Sequence, residues 1–200
     1  MLEKNIKIIH TEYHIQKAFI HLVKKKGFDH LTISAIVETA HISRGTFYKH
    51  YHDKFDLMRH YEDQSLRKID EIFHNFPKPQ LTGNLSSDVI THNAFFQMFN
   101  YLYSQRNLMS ILLENKGNNF MFRMKKLIKD EVGLQSEEIS TTKSFQIPPD
   151  FTEEMILQNI ISIITYWINK RQPELPIEVF NIFIESRTLS PVDLGYLVSP

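Results

Sequence analysis

The chain has 200 residues, 42% of them hydrophobic, enough to bury the core of one or two domains. It has no cysteine, which excludes disulfides, thiolate metal sites and a cysteine nucleophile and fits a reducing compartment. Its formal net charge is zero, yet residues 1–60 hold ten Lys/Arg against six Asp/Glu, giving +4, while residues 61–200 hold thirteen against seventeen, giving −4. Eight of the ten histidines also lie in residues 1–60, so mild acidity would make that part more basic still. The first residues, MLEKNIKIIHTEYH, are charged and lack a continuous apolar run, and no stretch reaches the length that spans a bilayer. The expectation is a cytoplasmic protein with no membrane attachment.

The stretch from Leu31 to Leu57, LTISAIVETAHISRGTFYKHYHDKFDL, reads as two short helices joined by a tight turn and followed by a third helix. That pattern is how a protein lays a helix in the major groove of DNA. Thr32 is a good N-cap, and Ile33, Ile36, Val37 and Ala40 recur at spacings that form an apolar stripe. The helix stops near Ala40, His41 and Ile42 make the turn, and Ser43 caps a second helix. In that helix Phe47 and Tyr51 sit four apart and face back toward Ile36 and Ile42. The opposite side carries Arg44, Thr46, Tyr48, Lys49 and His50, rich in hydrogen-bond donors, and Gly45 lets the backbone come close to whatever is bound. Asp53 is placed to cap the next helix. Lys54 stands in that helix's first turn, where the dipole prefers anions, and a phosphate arriving there would remove the oddity.

Residues 54–75 place Leu57, Tyr61, Leu66, Ile69, Ile72 and Phe73 at spacings of three, four and seven, as a long amphipathic helix should. Pro77-Lys78-Pro79 breaks it, and the loop Thr82–Ser87 marks the entry to a second domain. The expected division is therefore 1–53, a connecting helix 54–76, and 77–200. Asp88–Tyr103, Gln105–Leu113 and Asn118–Val132 are dense in apolar and aromatic residues, among them Phe95, Phe99, Tyr103, Met109, Phe120 and Met124. Gly133–Asp150 is polar and ends in a Pro pair, most simply a long loop, either a connector or a cover over a pocket mouth. Phe151–Lys170 is apolar on more than one face, and a further helix from Pro176 to Arg187 follows the turn at Pro173–Pro176. The fold class expected is all-α.

Metal binding and catalysis find little support. His10 and His14 stand four apart and His50 and His52 form a short pair, but no third ligand sits at a diagnostic spacing, so neither a metal nor another cofactor is expected. A phosphate-cradling Gly-rich loop, a Gly-x-Ser-x-Gly elbow and a His-Glu-x-x-His pair are all missing from the sequence, and Glu137-Glu138 and Glu153-Glu154 lie in polar stretches. The chain does not read as an enzyme.

Leu31, Thr32, Ile36, Ala40, Ile42, Ser43, Gly45, Thr46, Phe47, Tyr48, His50, Tyr51, Lys54 and Leu57 together resemble the TetR/AcrR group of bacterial transcription regulators. The likeness extends upstream through Ile15, Ala18, Phe19, Leu22 and the stop at Lys26-Gly27-Phe28, and so covers the first third of the chain. One departure is His41, at a turn position where the family often has Gly and where the backbone needs a positive φ; His tolerates this at a cost of about 1 kcal/mol or less.

The resemblance implies that Arg44, Thr46 and Lys49 look toward base edges and that Thr32, Ser34, Tyr48, His50 and Lys54 contact phosphates, with Ser43 and Gly45 completing the DNA-binding set. Arg reads guanine with two bonds and the Thr methyl touches thymine, whereas the other groups fix register. It further implies a helical C-terminal bundle around an effector pocket, with Phe95, Phe99, Tyr103, Met109, Phe120, Met124 and Trp167 as candidate lining. The last two helices would pair with those of a second copy through Ile160, Ile164, Trp167, Phe180, Phe183 and Ile184. The function implied is a homodimeric repressor on a palindromic double-stranded DNA operator, released when an unidentified small molecule shifts the helix of residues 54–75. The alternative is a coactivator or adaptor whose second domain binds another regulatory protein, because Trp167 in its Tyr-Trp-Ile context resembles TetR-type regulators of dihydroxyacetone kinase operons.

Overall fold

The computed structural model describes residues 2–77, 91–115, 119–132 and 148–186. The loop expected at Thr82–Ser87 and residues 133–147 of the expected polar loop lie outside them. Among the described residues every regular element is a helix: α1 Leu2–Lys26, α2 Ile33–Thr39, α3 Arg44–Tyr48, α4 Lys54–Asn75, α5 Ala94–Ser104, α6 Arg106–Glu114, α7 Phe120–Val132, α8 Pro149–Asn169 and α9 Pro176–Glu185. The chain divides into two compact units, residues 1–65 with 107–120 and residues 66–106 with 121–200. α4 contributes its first half to one unit and its second half to the other.

In the first unit α1 ends where Gly27, at φ 80°, donates its N–H to the Val23 carbonyl at 2.8 Å, a left-handed cap that glycine adopts without steric cost. α1 packs on α2 and α2 on α3. Ile15 and Phe19 of α1, Ile36 of α2, Phe47 of α3, and Leu57 and Tyr61 of α4 are completely buried. Each such side chain contributes about 1.5–3 kcal/mol of transfer free energy. α6 is tied to the end of α1 by Lys24 Nζ, which donates to Asn107 Oδ1 at 2.5 Å.

In the second unit α9 packs on both α5 and α8. Phe95 stacks on Phe183 with ring centres 4.9 Å apart and meets the edge of Phe73 at 5.3 Å, and Phe99 stands edge-on to Trp167 at 5.7 Å. Two long-range bonds finish α8. Arg106 donates through Nε to the Ile168 carbonyl at 2.9 Å and through its other arm to the Lys170 carbonyl, satisfying acceptors that a helix C-terminus leaves open. α8 begins at Pro149, inside the expected loop, since proline suits a first helical position.

Two groups of expected residues fall differently from the sequence reading. Ile160, Ile164, Trp167, Phe180 and Phe183 are buried within their own unit, and Ile184 is half-buried, so these side chains contribute to the core of that unit. The outward apolar face of α8 is instead Phe151, Met155 and Tyr166, each more than 60% exposed, and α9 adds Ile177 and Ile182. A helix that is apolar around most of its circumference satisfies the core first, and sequence periodicity alone does not say which stripe the core takes. Among the candidate pocket residues, Met109 and Phe120 belong to the first unit, while Phe95, Phe99, Tyr103, Met124 and Trp167 belong to the second.

Candidate nucleic-acid interface

The interface rests on how α2 and α3 are started and stopped. Thr32 has extended φ −122°, ψ 149°, and its Oγ1 accepts the Ala35 N–H at 3.2 Å, capping α2. α2 closes with His41 in the left-handed region at φ 54°: the His41 N–H bonds Glu38 O at 3.2 Å and the Ile42 N–H bonds Val37 O at 3.0 Å. That is a Schellman closure with histidine where glycine is usual. The turn lets Ser43 cap α3, its Oγ accepting the Thr46 N–H at 3.0 Å and lying 2.9 Å from Thr46 Oγ1. Phe47 anchors α3 from beneath, fully buried, with Tyr51 beside it at 5.7 Å between ring centres.

With the buried side fixed, the other side of α3 is presented outward. Arg44, Gly45, Tyr48 and Lys49 are exposed, and Thr46 and His50 are half-buried at its margins. Arg44 Nη2 donates to Ser34 Oγ at 2.6 Å, which holds the guanidinium at the junction of α2 and α3. A Cβ added to Gly45 would meet only Ser43 Oγ at 3.7 Å, an ordinary contact. Internal packing therefore does not require glycine there, and the bare backbone is available to an outside group.

Lys54 is the exception in the expected set. Its Nζ donates to the Phe28 carbonyl at 3.1 Å and to the Asp29 carbonyl at 2.8 Å, and it lies 5.0 and 5.4 Å from the Phe28 and Phe55 ring centres. The cation that looked misplaced at a helix N-terminus is spent tying α4 to the loop after α1. α4 is capped by Asp53, whose Oδ1 accepts the Asp56 N–H at 2.7 Å. Asp56 in turn accepts the His52 N–H at 2.9 Å, and that bond, with Arg59 beside it, holds the Asp56 carboxyl below its usual range.

Sequence reasoning missed Glu12. Its carboxylate accepts the Tyr51 hydroxyl and stands 3.7 Å from His60 Nε2, so α1, the end of the α3 segment and α4 meet at one group. Burial, then the Glu12 carboxylate, pushes the Tyr51 phenol far above its ordinary range, and burial does the same to Tyr61. The available signal was the position of Glu12 three and seven residues before Ile15 and Phe19, on the buried stripe of α1.

Two comparisons of sequence agree with this geometry. Residues 15–61 match the family model of bacterial regulatory proteins of the tetR family, and residues 91–186 match that of a transcriptional regulator C-terminal region. A Bacillus subtilis (strain 168) protein described as the uncharacterized HTH-type transcriptional regulator YxbF is 24% identical over 164 residues. The matched part is 80% of this chain but only 40% of that protein, so the chain spans less than half of its relative's length. Solved structures share the fold: a TetR transcriptional regulator from Streptococcus agalactiae 2603V (TM-score 0.57, 20% identity, 92% of this chain and 97% of that one) and a regulator from Aquifex aeolicus VF5 (TM-score 0.62, 17% identity, 89% and 98%). The capped helix-turn-helix, the helical C-terminal part and both family matches lead to one conclusion: this chain belongs to the TetR family of DNA-binding transcriptional regulators.

Proposed function

We propose that this regulator acts as a homodimeric repressor whose two α3 helices read the half-sites of a palindromic operator, and that a small molecule taken up by the C-terminal unit releases it. The observation that carries the reading is the outer face of α3: Arg44, Tyr48 and Lys49 are exposed above a completely buried Phe47, with Gly45 bare between them. Arg44, Thr46 and Lys49 are the base-reading groups; Ser43, Tyr48 and His50 hold the backbone phosphates around them. Thr32 and Ser34 act one step back, the first by capping α2 and the second by holding Arg44.

The apolar face of Phe151, Met155 and Tyr166 on α8, with Ile182 on α9, supports pairing with a second copy. A dimer matters because two recognition helices must engage half-sites about one helical turn apart. Phe95, Phe99, Tyr103, Met124 and Trp167 are the candidate effector contacts; of these Tyr103 is only half-buried, and its ring stacks on Trp167 at 5.8 Å. A ligand that parts that stack would reach the centre of the C-terminal unit and, through the second half of α4, shift the register of the DNA-binding pair.

Footprinting of the DNA flanking the gene, combined with light scattering of the complex, tests this reading. Two protected half-sites bound by two chains are expected, and a single half-site bound by one chain would overturn it.

A further inference from the structure

α4 carries Asp70 and His74 one helical turn apart, and α7 carries Glu131 near its C-terminal end, all in the second unit. One ligand atom from each of the three lies within 4.8 Å of the other two. We infer that Asp70, His74 and Glu131 form a binding site for a divalent first-row transition-metal ion, which clips the second half of α4 to α7.

The donor set argues for that class of ion. Two carboxylates and one imidazole are intermediate ligands: the imidazole favours Zn²⁺, Ni²⁺ or Co²⁺ over Mg²⁺ and Ca²⁺, which take oxygen alone. The i, i+4 spacing of Asp70 and His74 puts two ligands on one helix face, as in the helical His pair of zinc enzymes, and the third comes from another helix. His74 is already oriented: its Nδ1–H donates to the Asp70 carbonyl at 2.9 Å, and Nδ1 lies 3.6 Å from Asp70 Oδ1. Three protein ligands at a partly exposed position leave the remaining coordination sites to water, so the site exchanges its ion and does not lock it in. Glu131 lies 57 positions from His74, which is why the spacing of histidines in the sequence did not disclose the set.

The site lies apart from the α3 surface, and its test needs neither operator nor effector. Isothermal titration of the full chain, free of any affinity tag, with ZnCl₂ and separately with NiCl₂ should show one saturable site. His74→Ala and Glu131→Gln should each weaken it about tenfold or more, because loss of a ligand costs at least what loss of an outer-shell partner does. His10→Ala/His14→Ala should leave it unchanged, and circular dichroism of every variant should match the parent. Absence of a saturable site, binding that survives both His74→Ala and Glu131→Gln, or binding lost with the His10/His14 pair overturns the assignment.

Discussion

Lys54 separates a fold-stabilising role from a DNA-contacting one. Replacing it by alanine removes two ammonium–carbonyl bonds, to Phe28 at 3.1 Å and Asp29 at 2.8 Å, and the contacts with the Phe28 and Phe55 rings. Hydrogen bonds to a charged group are worth about 1.5–3 kcal/mol each when desolvated, but Lys54 is only half-buried and water would take over part of the loss, so about 2 kcal/mol in total is expected. For a chain of this length, that lowers Tm by about 4–8 °C. Lys54→Met, which keeps the apolar stem, should recover only a small part of the loss. The assay pairs thermal unfolding with fluorescence anisotropy on duplex DNA at several salt concentrations. If Lys54 serves the fold, the slope of log K against log salt stays that of the parent while Tm falls. An unchanged Tm with a slope shallower by about 0.9, the value for one lost phosphate contact, would refute the reasoning.

Gly45→Ala should leave the fold intact or raise its stability by about 0.5–1 kcal/mol, since the added Cβ meets only Ser43 Oγ, while weakening DNA binding; urea unfolding and anisotropy together check the opposite signs. Ser43→Ala removes the cap on Thr46 and should cost about 1 kcal/mol, read in the same urea titration. Tyr51 and Tyr61 have phenols raised above the unfolded value near 10, so their stabilisation is complete below about pH 10 and is lost as pH climbs beyond it, each by up to about 1.4 kcal/mol per pH unit. Tyr51→Phe should therefore lessen the steepness of alkaline destabilisation by about one proton, measured as unfolding free energy between pH 9.5 and 11.5. Trp167 is the sole tryptophan and packs between Phe99 and Tyr103, so an effector that parts the Tyr103 stack should change its emission; a ligand that releases DNA with no change in Trp167 fluorescence would place the pocket elsewhere.

The DNA-binding part was legible in the sequence because its signals are local. Thr32, Ser43 and Asp53 cap within three residues, and Phe47 and Tyr51 turn inward by the period of a helix. His41 was readable too, through the glycine that the family often has at that turn position, and the structure gives it φ 54°. Lys54 and Glu12 were not legible, because their partners lie 25 and 39 positions away and no periodicity links them. The C-terminal helices show the limit of apolar patterning. Ile160, Ile164 and Phe183 are buried in their own unit, while Met155 and Tyr166 on the same pair of helices are exposed. Which stripe of an all-round apolar helix is buried depends on its neighbours, here α5 and α9, and not on the helix itself.

The central claim, that the outer face of α3 reads DNA sequence, is tested most directly by fluorescence anisotropy of the full chain on the DNA flanking its gene and on a scrambled duplex, with Arg44→Ala beside the parent. The parent should bind the flanking DNA in clear preference to the scrambled duplex, and Arg44→Ala should lose about 1–3 kcal/mol of that preference while keeping its binding to scrambled DNA. Equal binding of the parent to both duplexes, or a preference that Arg44→Ala leaves intact, would contradict the account.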